Sequence, residues 1–376
     1  MPPRFGLYIH WPFCAAKCPY CDFNSHVRDG VDMDRWSSAL RSELARVHSE
    51  TPDHVLSTIF FGGGTPSLMP AQLVADLVAD AVRLWRCGND VEITLEANPT
   101  SVETEKLLQF RDAGVNRVSM GVQALNDADL RRLGRMHSAE DALRAMDKAR
   151  STFDRVSIDL IYARQDQTLG DWRSELSRAL SFGLDHLSLY QLTIEPGTIF
   201  AKRHRAGRLL GLPHEDTSAD MWELTQDLTS AAGMPAYEVS NHARPGAESQ
   251  HNILYWSGGD WGGIGPGAHG RLTLDSERWA TETHLGPEDW LSAVERSSTG
   301  ESTRRALSTE DVIDEHVLMG LRLVDGIDLA ALAWEPDGEA VAELTDLGMI
   351  ALNQGRICVT DRGRPVLNAV IEKLLT

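Results

Sequence analysis

Three cysteines near the start of the chain have the spacing of a metal-binding loop. Cys14, Cys18 and Cys21 stand at C-x3-C-x2-C, with Pro12 and Pro19 beside them. The prolines keep this segment out of a helix, so the thiols lie on a loop that can wrap around one centre. Thiolates are soft ligands that favour iron–sulfur clusters, zinc or Cu(I). A cubane cluster normally takes four thiolates, so three would leave one iron open to a non-protein ligand.

A structural zinc site is the alternative for the same loop. His26 could complete a closed Cys3His set, which is a usual ligand set for structural zinc. The cysteine spacing alone does not separate a cluster from zinc, and the rest of the chain has to decide.

Six apolar, partly β-branched runs follow one another through the first half of the chain. Helical patterns lie between them, as at Trp36, Leu40, Leu44 and Val47. Strand–helix alternation at roughly thirty residues per unit predicts parallel βα units. The runs are residues 5–9, 58–61, 91–95, 115–122, 156–161 and 184–192.

Polar residues stand at the ends of three successive runs, at Glu96, Gln123 and Asp159. The second run ends in Gly62-Gly63-Gly64-Thr65-Pro66, where glycines let the backbone approach a ligand or simply turn. A polar residue at a strand end is costly unless it is paired or faces a ligand. Each one alone is best explained as a paired core residue. Three in sequence favour a pocket at the carboxyl ends of the strands.

The segment Tyr8-x-His10-x-Pro12-Phe13-Cys14-x3-Cys18-x-Tyr20-Cys21 resembles the opening of radical S-adenosylmethionine (SAM) enzymes. Within that superfamily, the chain from about residue 5 to its end is similar to the oxygen-independent coproporphyrinogen III dehydrogenase family. The resemblance implies a partial (β/α)6 barrel and a [4Fe–4S] cluster whose open iron takes SAM. An electron donor would reduce the cluster, and an electron from the cluster would then cleave SAM to a 5′-deoxyadenosyl radical.

The same resemblance implies a set of contacts to SAM. The matching positions are Tyr8, Tyr20, Gly63, Gly64, Thr65, Glu96, Gln123, Arg135 and Asp159. In the family, the glycine motif holds the amino group of SAM, and the acid that Glu96 matches contacts the ribose or the amino acid. One departure puts the pocket floor in doubt. The family usually has Tyr-Gly-Leu-Pro after strand five, where this chain has Tyr162-Ala163-Arg164-Gln165.

The alternation breaks down after about residue 193, and we expect residues 201–300 to form an α+β cap over the open end of the barrel. This region contains His251-Asn252-x-x-Tyr255-Trp256 and the glycine-rich run 263–270. Imidazole is a common axial ligand of haem iron, and the two aromatic rings could stack on a porphyrin. The glycine run would let the backbone approach a flat ligand. The alternative is a core cluster of His251 and Trp256 beneath the cap.

Secondary expectations follow for a haem site built around His251. The side-chain oxygen of Asn252 or a backbone carbonyl would accept the second imidazole N–H. The next candidates for the axial ligand and for propionate partners are His242, His269, Arg244 and Arg271.

Two functions compete within the family: the dehydrogenase, which makes vinyl groups by radical decarboxylation of propionates, and a HemW-like haem chaperone. Dehydrogenases carry a further cysteine where this chain has Phe23, and a longer segment before the first strand. The chaperones carry H-N-x-x-Y-W, which is intact here. All three features favour a chaperone that binds haem and delivers it to acceptor haem proteins, membrane-associated respiratory enzymes among them.

The last part of the chain, residues 301–376, has a winged-helix-like order of helices, hairpin and closing helix. It holds 14 acidic and 7 basic residues, and the whole chain has a formal net charge of −19. This charge argues against a nucleic-acid partner. We therefore expect domains at 1–200, 201–300 and 301–376. The absence of a signal sequence predicts a cytoplasmic protein, with a peripheral place at the inner membrane.

Overall fold

The computed structural model describes residues 4–28 and 30–376. The strands are β1 Arg4–Trp11, β2 Phe13–Cys14, β3 His26–Val27, β4 Val55–Gly63, β5 Arg86–Ala97, β6 Arg117–Gln123, β7 Arg155–Tyr162, β8 His186–Gln191, β9 Asn241–Ala243, β10 Asp260–Ile264, β11 His269–Leu274, β12 Glu277–Thr283, β13 Glu301–Ala306, β14 Ile327–Asp328, β15 Ile350–Asn353 and β16 Arg356–Val359. The 3-10 helices are Pro66–Leu68 and Arg364–Val366.

Most α-helices form an outer layer around the main sheet or build the end of the chain, and α9 (Gln250–Trp256) lies on the inner face of the sheet. They are α1 Met33–Glu50, α2 Ala71–Leu84, α3 Ser101–Asp112, α4 Asp127–Arg132, α5 Ala139–Thr152, α6 Leu169–Ser181, α7 Ile199–Arg205, α8 Glu215–Ala231, α9 Gln250–Trp256, α10 Pro287–Ser297, α11 Thr309–Gly320, α12 Leu329–Leu332, α13 Gly338–Asp346 and α14 Leu367–Leu375.

The six predicted strands are confirmed as β1, β4, β5, β6, β7 and β8, which lie side by side and pair in parallel. The sheet is open, because its edge strands β13 and β9 do not pair with each other. The α/β partial barrel expected from the alternation is therefore present. Its strands end together at one rim, which we call the cavity end.

Residues 201–300 do not form the expected cap over the open end of the barrel, because the strands in this region belong to the main sheet. Strand β10 pairs in parallel with β1, and β11, β12 and β13 continue the sheet from there. Strand β9 pairs antiparallel with β8 at the other edge. Residues 201–300 thus extend the barrel wall on both sides.

Helix α1 shows how the outer layer is held. The Asp32 side chain accepts a hydrogen bond from the backbone at the start of the helix, as an N-cap does. The buried face is Trp36, Ala39, Leu40, Glu43, Leu44 and Val47. Glu43 is fully buried and accepts hydrogen bonds from the backbone of Gly265 and Gly300 and from Trp290 Nε1 at 2.6–3.0 Å. This carboxyl group joins α1 to β10 and α10.

The end of the chain packs as a separate small layer. Strands β14, β16 and β15 form a three-stranded sheet, with α11, α13 and α14 on it. Its buried core includes Val317, Leu321, Ile350, Ile357 and Val370. The expected winged-helix-like order is present. Among the described residues, no helix has the length and apolarity needed to span a bilayer.

Candidate functional site

Strand ends and the cysteine loop enclose a cavity of about 420 Å³ at the cavity end of the barrel. Cys14, Cys18 and Cys21 all line it and all are free thiols. Thr65 Oγ1 lies 3.3 Å from Cys14 Sγ, and Arg135 Nη1 lies 3.4 Å from Cys18 Sγ. Burial raises the pKa of the Cys14 and Cys21 thiols. The three sulfurs therefore face one space with a hydroxyl and a guanidinium beside them.

The glycines after β4 are required by close packing against β1. Gly63 has φ +110°, and a Cβ there would lie 2.6 Å from the ring of His10. A Cβ on Gly64 would lie 2.8 Å from the carbonyl oxygen of Phe13. The Gly64 N–H donates to Trp11 O at 2.7 Å. Both glycines also line the cavity, so the motif brings backbone to the site as expected.

Two carboxyl groups at strand ends face the cavity. Burial, together with the neighbouring Asp159 carboxylate, raises the pKa of Glu96 to about 8, although the Gly63 N–H donates to it. Burial raises the pKa of Asp159 to about 6, against hydrogen bonds from the Ser188 and Ser119 hydroxyls. The Ser119 bond measures 3.0 Å. Two acids that are hard to ionise in one cavity favour a cationic ligand, which would restore their charge.

Arg135 connects the strand ends to the cysteine loop. Its Nη2 donates to Gly121 O at 2.9 Å and to Asn98 Oδ1, while Nη1 reaches Cys18. Its Nε atom is buried without a hydrogen-bond partner in the described chain. Gln123 lines the same wall and has φ +69°, an unusual conformation for a residue with a side chain. These groups are positioned for a ligand that carries a carboxylate.

The donor set fits a cluster better than a single ion. Three soft thiolates in one cavity wall, with polar groups opposite, suit a [4Fe–4S] cluster with SAM on its open iron. His26 Nε2 instead hydrogen-bonds Asn24 Oδ1 at 3.1 Å. The geometry therefore does not favour a Cys3His zinc site.

The glycine run 263–270 was expected to approach a flat ligand, but it packs against the cysteine loop. A Cβ on Gly265 would overlap His10 O, and one on Gly267 would overlap the Asn24 side chain. Asn24 Nδ2 donates to Pro266 O at 2.9 Å and to Leu285 O at 3.0 Å. The run therefore fixes the loop from behind.

The unusual sequence after β7 leaves the cavity intact. Ala163 takes φ +57°, which provides the turn where the family has glycine. Arg164 is buried, and its Nη2 pairs with Glu175 at 2.6 Å and Asp129 at 2.9 Å. It does not line the cavity. The doubt about the pocket floor is resolved, because the arginine serves a buried ion-pair network behind the wall.

The position of His251 differs from the expected one. Helix α9 contacts β1 and β4 from inside the barrel, at the opposite end from the cavity, which we call the α9 end. His251 Nδ1 hydrogen-bonds Thr58 Oγ1 at 2.9 Å, its backbone N–H donates to Glu92, and its ring stacks on Phe60. The residue is 7% exposed. The expectation of a cap residue over the rim is wrong, since α9 fills the barrel interior.

The other residues of the motif point in several directions. Asn252 Nδ2 donates to the Tyr237 hydroxyl at 3.2 Å, so Asn252 does not orient the His251 ring as expected. Tyr255 and Trp256 are half-buried, with ring centroids 5.1 Å apart. The guanidinium of Arg322 lies 5.4 Å from the Trp256 ring, so the motif contacts the C-terminal layer.

The secondary haem candidates are placed less favourably than the motif itself. His242 is 1% exposed, and burial lowers its pKa to about 4. His269 is exposed, 3.9 Å from Glu282. Arg271 Nε pairs with Glu315 at 2.6 Å. Arg244 is exposed. None of the cavity-lining residues comes from the motif or from this group.

The two tyrosines expected beside the cofactors separate in the structure. Tyr20 lines the cavity next to the cysteines. Tyr8 lies deeper, outside the cavity lining, with its ring 6.4 Å from His251 and its hydroxyl 3.1 Å from His10 Nδ1. Tyr8 thus lies between the two ends of the barrel rather than beside the thiols.

Sequence reasoning missed two residues that hold the site together. Asn98 donates to Thr65 Oγ1 at 3.2 Å and accepts from Arg135. His10 Nε2 is 2.9 Å from Asn24 O, which fixes the cysteine loop on β1. A signal existed for both, because Asn98 follows Glu96 at the same strand end and His10 belongs to the Tyr-x-His-x-Pro segment.

Comparisons with known proteins agree with this geometry. The profile of the Radical SAM superfamily matches residues 8–177, and that of the HemN C-terminal domain matches residues 307–366. Mouse mitochondrial radical S-adenosyl methionine domain-containing protein 1 is 38% identical, over 99% of this chain and 87% of its own. Heme chaperone HemW of Mycobacterium tuberculosis is 38% identical, over 99% and 95%. Heme chaperone HemW of Escherichia coli is 41% identical, over 73% and 72%.

A solved structure supports the fold alone. Coproporphyrinogen III oxidase (HemN) from Escherichia coli superposes with a TM-score of 0.83 at 22% identity, covering 100% of this chain and 91% of that one. Two of the relatives that share more sequence with this chain, from Mycobacterium tuberculosis and Escherichia coli, are named heme chaperones. The chain therefore belongs to the HemW family of radical SAM proteins.

Proposed function

We propose that this protein is a haem chaperone with a SAM-coordinated [4Fe–4S] cluster at one end of its barrel and haem at α9. The observation that carries the proposal is identity of 38–41% over most of the chain to proteins named heme chaperone HemW. The intact His251-Asn252-x-x-Tyr255-Trp256 motif supports it. We expect it to act in the cytoplasm and to deliver haem to respiratory haem proteins.

At the cavity end, the residues present would hold both cofactors. The three thiols would bind the cluster, and the Gly63–Gly64 backbone, Glu96 and Arg135 would orient SAM. When bound, these groups supply one-electron chemistry at the SAM sulfonium. Asp159 and Gln123 complete the polar wall around them. Phe23 replaces the additional cysteine of the dehydrogenases, so we expect no conversion of coproporphyrinogen III to protoporphyrinogen.

At the α9 end, haem binding to His251 requires α9 to move. Thr58 and Glu92 hold the residue inside the barrel, and burial lowers the pKa of its imidazole to about 3, so it is neutral at physiological pH. A neutral imidazole is the form that binds iron. We therefore propose that haem is ligated after α9 shifts outward, with Tyr255 and Trp256 meeting the porphyrin.

Haemin titration followed at the Soret band tests this proposal. His251→Ala should weaken haem binding at least tenfold and shift the band, because the axial ligand is lost. Thr58→Val removes the hydrogen bond that holds the ring, so it should speed haem association severalfold while leaving the band unchanged. Cluster iron serves as the control for both variants. A His251→Ala protein with the wild-type spectrum and affinity would place the ligand elsewhere.

A further inference from the structure

A basic surface interrupts the acidic character of this protein. The chain has 36 Lys and Arg against 55 Asp and Glu. Residues 196–214 contain no acidic residue, yet they include Lys202, Arg203, Arg205 and Arg208. All four are exposed on or just after α7. Within the described chain, none of the four lies within ion-pair distance of a carboxylate, whereas nearby Arg132 pairs with Asp166 at 2.9 Å. We call these four residues the basic surface.

The basic surface lies directly beside the cysteine loop. The Phe200 N–H of α7 donates to Pro19 O at 2.9 Å, and the Phe200 ring lies 6.3 Å from that of Tyr20. Pro19 follows Cys18, and Tyr20 lines the cavity. A Cβ on Gly134, just after α4, would lie 2.6 Å from Pro19. Helix α7 thus packs on the backbone that carries the thiols.

Exposed apolar side chains flank these cations. Ile199 is 45% exposed, and Leu210 and Met136 are each 71% exposed. Arg131 at the end of α4 is also exposed. Cations steer an acidic partner during association, and apolar groups then contribute contact area in the complex. The mixture suits a protein partner of opposite charge.

We propose that the basic surface docks a small acidic protein that donates single electrons, of the flavodoxin or ferredoxin kind. This rests on the proposed function, because the cluster must gain one electron before SAM is cleaved. In the complex the reduced partner loses one electron and the oxidised cluster gains it, and no bond forms or breaks. Placement against Pro19 favours an electron donor over a lipid surface, since electron transfer requires donor and acceptor to be close.

Charge reversal on the intact, reconstituted protein tests the docking site. The test variant is Lys202→Glu, Arg203→Glu and Arg205→Glu together. The matched control reverses the charge of three exposed arginines on the outer helices α5 and α6. Its substitutions are Arg150→Glu, Arg173→Glu and Arg178→Glu together. Binding of an acidic flavodoxin, measured by anaerobic titration at low salt, should weaken at least tenfold in the test variant only. Raised salt should abolish the difference.

A kinetic measurement separates docking from damage to the cluster. Reduced flavodoxin should bleach the cluster of the test variant at least tenfold more slowly than that of wild type, because steering raises association rates by about 10–10³. Dithionite is small and needs no docking surface, so it should reduce both proteins at the same rate.

Three results would overturn the docking site: unchanged flavodoxin binding in the test variant, equal loss in the control variant, or loss with dithionite as well. Vesicles of anionic phospholipid provide the remaining comparison. If the test variant loses only vesicle binding, the surface binds lipid and the proposal is wrong. Haemin affinity and iron content are measured in parallel, so a failure of docking leaves the haem chaperone proposal standing.

Discussion

At the cavity end of the barrel, burial raises the pKa of Glu96 to about 8, whereas at the α9 end it lowers the pKa of His251 to about 3. Both groups are therefore held in their neutral forms. They differ in what surrounds them: Glu96 borders an open cavity, while His251 is packed between Thr58 and Phe60. The cavity end therefore presents an open space to a ligand, whereas the α9 end is closed by packed side chains.

The largest effect is expected from a substitution that removes the cluster from the cavity end and leaves the α9 end unchanged. Cys18→Ala should lower iron from about four atoms per chain, the content of a [4Fe–4S] cluster, to near zero. Cys87→Ala is the control, because Cys87 is exposed and far from the loop in sequence. Haemin affinity should stay within twofold in both variants. Equal loss of haem binding in Cys18→Ala would show that the two ends are not independent.

A second prediction concerns SAM and pH. The Glu96 proton must leave for the carboxylate to interact with a cation, so SAM affinity should rise between pH 6 and pH 8. The groups around this carboxyl include Asp159, Tyr8, Tyr190 and the Gly63 N–H. Glu96→Gln should bind SAM about tenfold more weakly at pH 8 and show a flatter pH profile. The change that SAM causes in the EPR signal of the reduced cluster measures SAM affinity at each pH. A pH profile of Glu96→Gln as steep as that of wild type would contradict the role of Glu96.

The third prediction is that Glu96 and His251 give the stability of the folded protein opposite dependences on pH. Glu96 holds its proton in the folded protein between about pH 4.5 and 8, where the unfolded chain releases it, so stability falls as pH rises through this window. His251 stays neutral in the folded protein below pH 6.5, where the unfolded chain gains a proton, so stability falls as pH drops. Each group can contribute about 1 kcal/mol per pH unit in its window.

Thermal unfolding of the cluster-free protein between pH 5 and 8.5 checks these signs. Glu96→Gln should reduce the alkaline loss and make the net acid loss steeper, because the Glu96 and His251 windows oppose each other below pH 6.5. His251→Asn should reduce the acid loss only in part, because buried His186 and His242 also have lowered pKa values. If Glu96→Gln altered only the acid side, the raised pKa would be wrong.

The smallest expected effect tests the turn that follows β7 at the cavity end. Ala163 has φ +57°, and a left-handed residue with a Cβ costs about 1 kcal/mol. Ala163→Gly relieves this cost but adds chain entropy to the unfolded state, so a net gain of about 0.5 kcal/mol is expected. Ala75→Gly within α2 is the control and should lose about 1 kcal/mol. Urea unfolding measures the free energy of unfolding of both variants. A lower value for Ala163→Gly than for wild type would contradict backbone strain at Ala163.

The barrel strands could be predicted because each carries its own apolar run and its own polar end. The residues that line the cavity were predictable for the same reason, since Glu96 and Gln123 lie at the ends of successive parallel strands and Asp159 lies in the next strand. The position of α9 was not, because a seven-residue helix has no local signal for the interior of a barrel. The pairing of β10 with β1 also joins segments about 250 residues apart, and no local pattern specifies such a contact.

The glycine run shows a second limit of sequence reasoning. Glycines indicate close approach, but they do not say what approaches. Residues 263–270 were expected to meet haem, and in the structure Gly265 and Gly267 meet His10 and Asn24. The C-terminal layer was predicted more easily, because its helices and hairpin are local.

The hydrogen bonds from Asn24 to Pro266 and Leu285 have a consequence for how the protein is made. The ribosome synthesises the three thiols before Pro266 and Leu285, so these supports do not yet exist when the thiols emerge. Strand β1 also has only one of its two neighbours until β10 emerges. The thiols of the nascent chain are therefore exposed to oxidants while about 260 further residues are added. Iron and sulfide would be inserted after synthesis rather than during it.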